Sequence, residues 1–307
     1  MRFATKARKH EARPWWFLFR DFVVSRLSPS VSVLLTCALI LPACRAATRE
    51  QMGARAADEW IRSYPLNLDG RVSIVNRNGG VDIEGVEGSI VEIRAERITH
   101  ATTEKTAQDL LPRIGITEDI KPELVSVRTQ GIQGILVGVS FEVTYHVKMP
   151  LSASVRVQTG SGDITVTGIS GRLVASTGSG DIKGENLSGG VETRTVNGGT
   201  LVDLALLGTD PVSLRATNGS VRLALPAASN ANLMASCVNG EVSITGLTFE
   251  PAGEPGPERG RGKRVRGRLN KGGTSIEVQT VNGSIGISAR VPPAENSTSG
   301  ASKHQYR

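Results

Sequence analysis

The sequence predicts an all-β fold, a β-solenoid of stacked two-strand coils 18–21 residues long, and three observations carry that prediction. A phrase of strand, Asn-Gly or Ser-Gly corner and second strand keeps returning, fullest as IEVQTVNGSIGI from Ile276 to Ile287. Its copies centre on Gly79, Gly162, Gly180, Gly198, Gly219, Gly240 and Gly283, and from Gly162 onward the spacings are 18, 18, 21, 21 and 43 residues. A unit of that size cannot bury its own apolar face and needs neighbours on both sides. Composition agrees, because 35 Gly and only 4% aromatic residues suit coils packed with Val, Ile and Thr.

The copies keep register. Seven residues before each central Gly stand Val72, Val155, Leu173, Val191, Val212, Leu233 and Ile276, an aliphatic column. Three residues before it stand Asn76, Thr159, Thr177, Thr195, Ala216, Cys237 and Thr280, a small one. The residues between, such as Arg156, Gln158, Glu192 and Arg194, are polar, as expected if alternate side chains face water. Asn-Gly tolerates positive φ and is also a hairpin signal, so an antiparallel β-sandwich is the alternative architecture. A ladder of like residues at a nearly fixed period favours the solenoid.

In chain order, residues 1–43 read as a signal peptide of lipoprotein type: a basic start, then an apolar run from Val31 to Leu41 that is short for a membrane span. Leu41, Pro42 and Ala43 before Cys44 resemble a lipobox, in which that Cys is diacylated and becomes the mature N-terminus. The long basic start predicts initiation near Val23 or Val24, which would leave Trp15 and Trp16 untranslated. Residues 44–65 read as a linker with a short helix within Arg49–Ser63. The β-solenoid domain spans 66–290, its regular repeats 151–290, and residues 291–307 form a polar, disordered tail. Thr102–Leu111 predicts one helix, capped by Thr102 or Thr103 and ended by Pro112. With the strands LVSVRTQ and VSFEVTYHVKMP it forms an irregular N-terminal cap over the open end of the stack.

An early Asn-Gly phrase, a strand-helix-strand section, a strand ending VKMP, TGSGDI copies and a final LNKGGTSIEVQTVNGSIGI follow one another in this chain. This order resembles a large bacterial family of candidate adhesins, a domain of unknown function, across most of Leu66–Ala289. The resemblance implies a β-solenoid envelope protein and brings no catalytic residues with it.

Charge is informative once divided. The chain carries +7, but its first 43 residues hold seven Lys or Arg against two acids, which leaves 29 basic and 27 acidic groups for the rest. The high isoelectric point therefore belongs to the leader, and no nucleic-acid partner is implied. Residues 247–273 interrupt the period with a basic loop whose cations are Arg259, Arg261, Lys263, Arg264, Arg266, Arg268 and Lys271. Read as a mobile surface insertion, it offers contact with anionic lipid head groups, lipopolysaccharide or acidic glycans.

Asp163 and Asp181 hold the same corner position one period apart, and GSGD is similar to the GxGxD of calcium-binding β-rolls. The other copies place Gly80, Gly199, Ser220, Glu241 and Ser284 there, so the two are weak metal candidates, and turn carboxylates bonded to their own backbone explain them. Cys237 reads as a small buried hydrophobe, and His100 and His146 lack the spacing of a zinc site or a general base. No cofactor is expected.

Function falls into three classes. The first is a non-catalytic module anchored to the bacterial envelope by lipid, in the outer membrane, periplasm or cell surface, that acts as an adhesin or contacts a glycan, the membrane or a protein. The second is an envelope-stress or signalling accessory acting through a membrane partner. The third, a β-helix carbohydrate-active enzyme, lacks a repeated acidic-basic cluster on the outward columns.

Overall fold

The computed structural model describes residues 53–134, 137–252 and 263–291. Eight two-strand coils stand among these residues: β2 (Arg71–Val75) with β3 (Val81–Val86), β6 (Leu124–Gln130) with β7 (Ser140–Pro150), β8 (Ser154–Ser161) with β9 (Ile164–Thr167), β10 (Leu173–Ser179) with β11 (Ile182–Leu187), β12 (Val191–Asn197) with β13 (Thr200–Leu204), β14 (Val212–Asn218) with β15 (Val221–Leu225), β16 (Ala231–Asn239) with β17 (Val242–Thr245), and β20 (Thr274–Asn282) with β21 (Ile285–Ala289). The remaining elements are β1 (Ala54–Pro65), β4 (Ile90–Ala101), α1 (Glu104–Leu110), β5 (Gly115–Lys121), β18 (Phe249–Pro251) and β19 (Lys263–Leu269).

The two strands of a coil belong to different sheets, and each pairs in parallel with its equivalent in the next coil. Leu173 lies opposite both Val155 and Val191, so the aliphatic column is a physical stack. Hydrogen bonding continues round the corners: Gly162, Gly180 and Gly198 each donate to the backbone carbonyl of Ser179, Asn197 and Asn218 in the adjoining coil at 2.8–2.9 Å. A hairpin would bond its own two strands instead, so the sandwich alternative fails at every corner. The inward residues of both sheets, including Val155, Val157, Ile164, Val166, Val221 and Leu223, form one dry core. Each contributes about 1.5–3 kcal/mol by burial, which offsets the cost of ordering so much extended backbone.

Stacking order departs from chain order at both ends. The coil β20–β21, last in sequence, is wedged between β14–β15 and β16–β17. At the other end β6–β7, expected to belong to the cap, is an eighth coil, its strands joined by a longer connection without the Asn-Gly or Ser-Gly phrase, that packs outside β2–β3. Antiparallel strands then close the stack: β4 and β1 beyond β7, β5 beyond β6, and β19 and β18 beyond β16. These covers blunt the unpaired edges a parallel ladder would expose.

Two local expectations are corrected. The helix predicted within Arg49–Ser63 is strand β1, paired with β4 along its whole length and tied to it by Arg55–Glu96 at 3.0 Å. Ala and Glu favour helix weakly, and a partner strand with complementary charges overrides them. The basic loop is in part strand β19, antiparallel to β16 with Met234 opposite Arg266. Its period-two alternation, Val265, Gly267 and Leu269 turned inward between arginines, was hidden by the charge run. The predicted helix stands as α1, with Thr103 Oγ1 accepting from Thr106 N at 3.2 Å and Pro112 in the 3-10 turn that follows.

A polar chain crosses the core near one end. Asn76 Nδ2 donates to the Val143 carbonyl at 2.7 Å, and the Thr129 hydroxyl lies 2.9 Å from Asn76 Oδ1 and 2.7 Å from the fully buried Tyr145 hydroxyl. Burial pushes the Tyr145 phenol from 10.0 up to about 12, against the opposing pull of the Thr129 hydrogen bond. Between those values the unfolded chain releases the proton and the folded chain keeps it. Its contribution to stability is therefore intact below pH 10 and lost as pH rises toward 12. Tyr145→Phe should lower stability at neutral pH by about 1 kcal/mol through the lost hydroxyl bond. It should also flatten the alkaline fall in Tm, and equal slopes in thermal melts of both proteins would assign that fall to other groups.

Candidate functional site

The recurring corner is where the sequence concentrates its polar and conformationally special residues, and the structure brings them together in ladders. A Cβ on Gly162, Gly180, Gly198, Gly219, Gly240 or Gly283 would strike the carbonyl oxygen of the corner glycine in an adjoining coil. Close backbone approach therefore demands glycine there, in addition to positive φ at most of these positions. Contrary to the turn chemistry expected of Asn-Gly, the corner asparagines Asn197, Asn218, Asn239 and Asn282 do not take positive φ. They stack instead, Asn218 donating to Asn197, Asn282 to Asn218 and Asn239 to Asn282 at 2.7–2.9 Å.

The small inward column has the same job. Thr177, Thr195 and Thr280 donate their hydroxyls to the carbonyls of Gly162, Gly180 and Gly219 at 3.0, 3.0 and 2.8 Å. Cys237, in the same column, is a buried free thiol.

Asp163 and Asp181 do lie one coil apart, but one oxygen of each carboxylate is committed to the adjoining coil. Asp163 Oδ1 accepts from the Asp181 N–H at 2.8 Å, and Asp181 Oδ1 from the Gly199 N–H at 2.7 Å. The bond runs to the next coil rather than to each residue's own turn, so these residues clamp rungs together. Among the described residues no group of three or more His, Cys, Asp or Glu is placed to hold a metal ion.

Of the predicted anionic-surface cations, Lys263, Arg264, Arg266 and Arg268 lie on β19 and Lys271 in the turn after it. Lys263 pairs with Glu241 at 3.3 Å and Arg268 with Glu250 at 2.8 Å, leaving Arg264 and Arg266 turned outward. Arg259, Arg261, Cys44, residues 1–43 that the sequence reads as a signal peptide, and the residues beyond 291 lie outside the described residues.

Sequence reasoning missed a depression of ≈ 670 Å³ on the outer face of the sheet containing β3, β7 and β4. Its floor alternates Asp82, Glu84 and Glu92 with Arg94, His146 and Lys148, and His146 Nδ1 stands 3.2 Å from Asp82 Oδ2. Two of the strands, β3 and β4, are consecutive, but β7 comes much later in the chain, and no local motif joins the three; only the insertion of β7 between β3 and β4 does.

Several solved structures resemble the chain. A candidate cell adhesion protein from Clostridium sporogenes is 14% identical with a TM-score of 0.47, over 76% of this chain and 100% of that one. Candidate adhesins from Bacteroides fragilis and Parabacteroides distasonis are 9% and 10% identical with TM-scores of 0.24 and 0.22, each over 76% of this chain and 97% of theirs. No curated protein matches. The profile of the Toastrack DUF4097 family matches residues 119–288, more than half of the 307-residue chain and six of its eight coils in full, so the chain belongs to that family.

Proposed function

We propose that this protein is a non-catalytic, adhesin-type binding module of the bacterial cell envelope, held to a membrane by an acylated Cys44. The observation that carries this reading is where the corner chemistry is spent. Asp163, Asp181 and the inward threonines, the residues that in sequence look most like a reactive or metal-binding array, hold coil to coil. What the module offers to other molecules is its two outward sheet faces, rigid because each rung is bonded to the next along strands and corners alike. A lipid-tethered scaffold of this kind contacts a glycan or an envelope protein by surface complementarity.

The anchor is tested by growing the bacterium with labelled palmitate. The chain is expected to take up label and fractionate with membranes, and Cys44→Ala to lose both properties. A wild-type chain released without label would overturn the anchored reading.

A further inference from the structure

The two outward faces differ in charge. On the sheet containing β3 and β7, cations face carboxylates: Arg94–Glu59, Lys148–Glu84, Lys183–Glu185 and Arg290–Asp203 are ion pairs. The other sheet is dominated by arginine. The residues four before the seven corner glycines lie side by side, and Arg128 on β6 and Arg264 on β19 extend their row at either end to nine strands. This row holds Arg128, Arg194, Arg215 and Arg264; between them stand Val75, Gln158, Ser176, Gln279 and Ser236, and it contains no carboxylate. The adjacent outward row adds Arg156 and Arg266 against Glu192 and Glu277, which are engaged by Arg172 at 3.2 Å and Arg215 at 3.0 Å. Arg128, Arg156 and Arg194 are exposed, and none is in an ion pair among the described residues.

Spacing gives these charges a direction. Arg128, Arg156 and Arg194 stand on β6, β8 and β12, which are the first, third and fifth strands along the row. At the pitch of a β-ladder they are about 9.5 Å apart along the stack, and the whole row runs about 38 Å. A guanidinium binds carboxylate and sulfate oxygens through paired N–H groups, and interleaved Ser and Gln side chains suit hydroxyls. The apolar members of the two rows, Val75, Val174 and Met234, are partly buried between their neighbours, whereas the next outward row exposes Val196, Val281 and Val238. These short side chains lie to one side of charges that run in a line among hydroxyl and amide groups, an arrangement that suits a linear hydrophilic polymer better than a lipid surface.

We infer that the outer face of the sheet from β6 to β19 binds a linear anionic polysaccharide, carrying carboxylate or sulfate groups, laid along the stack across the strands. The inference deepens the proposed function by naming the ligand class of one of its faces, and it rests on that reading of a binding module.

The test uses the full chain carrying Cys44→Ala, which has no acyl anchor, titrated without detergent with polygalacturonate, dextran sulfate and neutral dextran, and with vesicles containing phosphatidylglycerol. Both anionic polymers should bind and neutral dextran should not. Replacing Arg128, Arg156 and Arg194 together by Gln should weaken polymer binding about tenfold, the sum of three exposed charge contacts. Removing equal charge from the opposite sheet, by replacing Lys148, Lys183 and Arg222 with Gln, should leave binding unchanged. Equal losses in the two triple variants, no loss in the first, or binding to vesicles alone would overturn the inference. Palmitate labelling reads the anchor independently, so a membrane-held chain that ignores the polymers removes this inference and leaves the envelope reading in place.

Discussion

Gly219→Ala is expected to disrupt the middle of the stack, at a cost of about 3 kcal/mol or more, although a methyl group is a small addition. Gly219 is the corner glycine whose φ lies outside the left-handed region, so alanine meets no conformational penalty there. What it meets is the Gly198 carbonyl, far inside contact distance. Neither partner can move aside cheaply. Gly219 donates to Asn282 at 2.8 Å, Gly198 donates to Asn218 at 2.9 Å, and a shift at one corner is passed along the ladder. Gly88 offers the opposite case, with φ +129° and no atom within 4 Å of an added Cβ. Gly88→Ala should cost about 1–2 kcal/mol, from backbone strain alone. For a domain of this size the expected falls in Tm are about 6 °C or more and about 2–6 °C, respectively. If turn conformation were the reason for the corner glycines, the order of the two variants would reverse.

That contrast also explains how far the fold could be read from the residues. Register was visible because like side chains recur at fixed offsets: Val155, Leu173 and Val191 announce one another, and parallel stacking places them together. The role of each corner was visible only in part. Asn-Gly suggests a turn from local conformation, whereas the asparagine ladder, the glycine contacts and the Asp163 and Asp181 clamps are relations between coils. Strand β1 was hidden because its partner β4 comes later in the chain and supplies the complementary charges. In β19 the alternation of Val265, Gly267 and Leu269 was present but masked by composition. The arginine face was out of reach because Arg128, Arg156, Arg194 and Arg264 share no motif. They fall on two adjacent rows of one face only once the strand order is known.

Strand order itself supports a second large effect. Ile276→Asp should destroy packing on both sides of the mutated coil, because β20 lies between β14 and β16 and Ile276 faces Val212 and Leu233. The Ile276 side chain is fully buried, and the site has no cation to receive a carboxylate: its register partners are aliphatic. Forcing a charge into such a site costs more than about 4 kcal/mol, or else the surrounding strands open to let water in. Were the coils stacked in chain order, Ile276 would belong to the terminal coil and damage would stop there. With β20–β21 wedged inside the stack, amide hydrogen exchange should show protection lost in β14–β15 and in β16–β17 together, while β8–β11 stay protected. Intact protection of β16 and β17 would mean that they close directly on β14 and β15, and the insertion of the last repeat between earlier ones would be wrong. The same geometry accounts for the 43-residue gap between Gly240 and Gly283. That length carries the chain through the β18–β19 cover before it returns to fill the position between two coils already laid down.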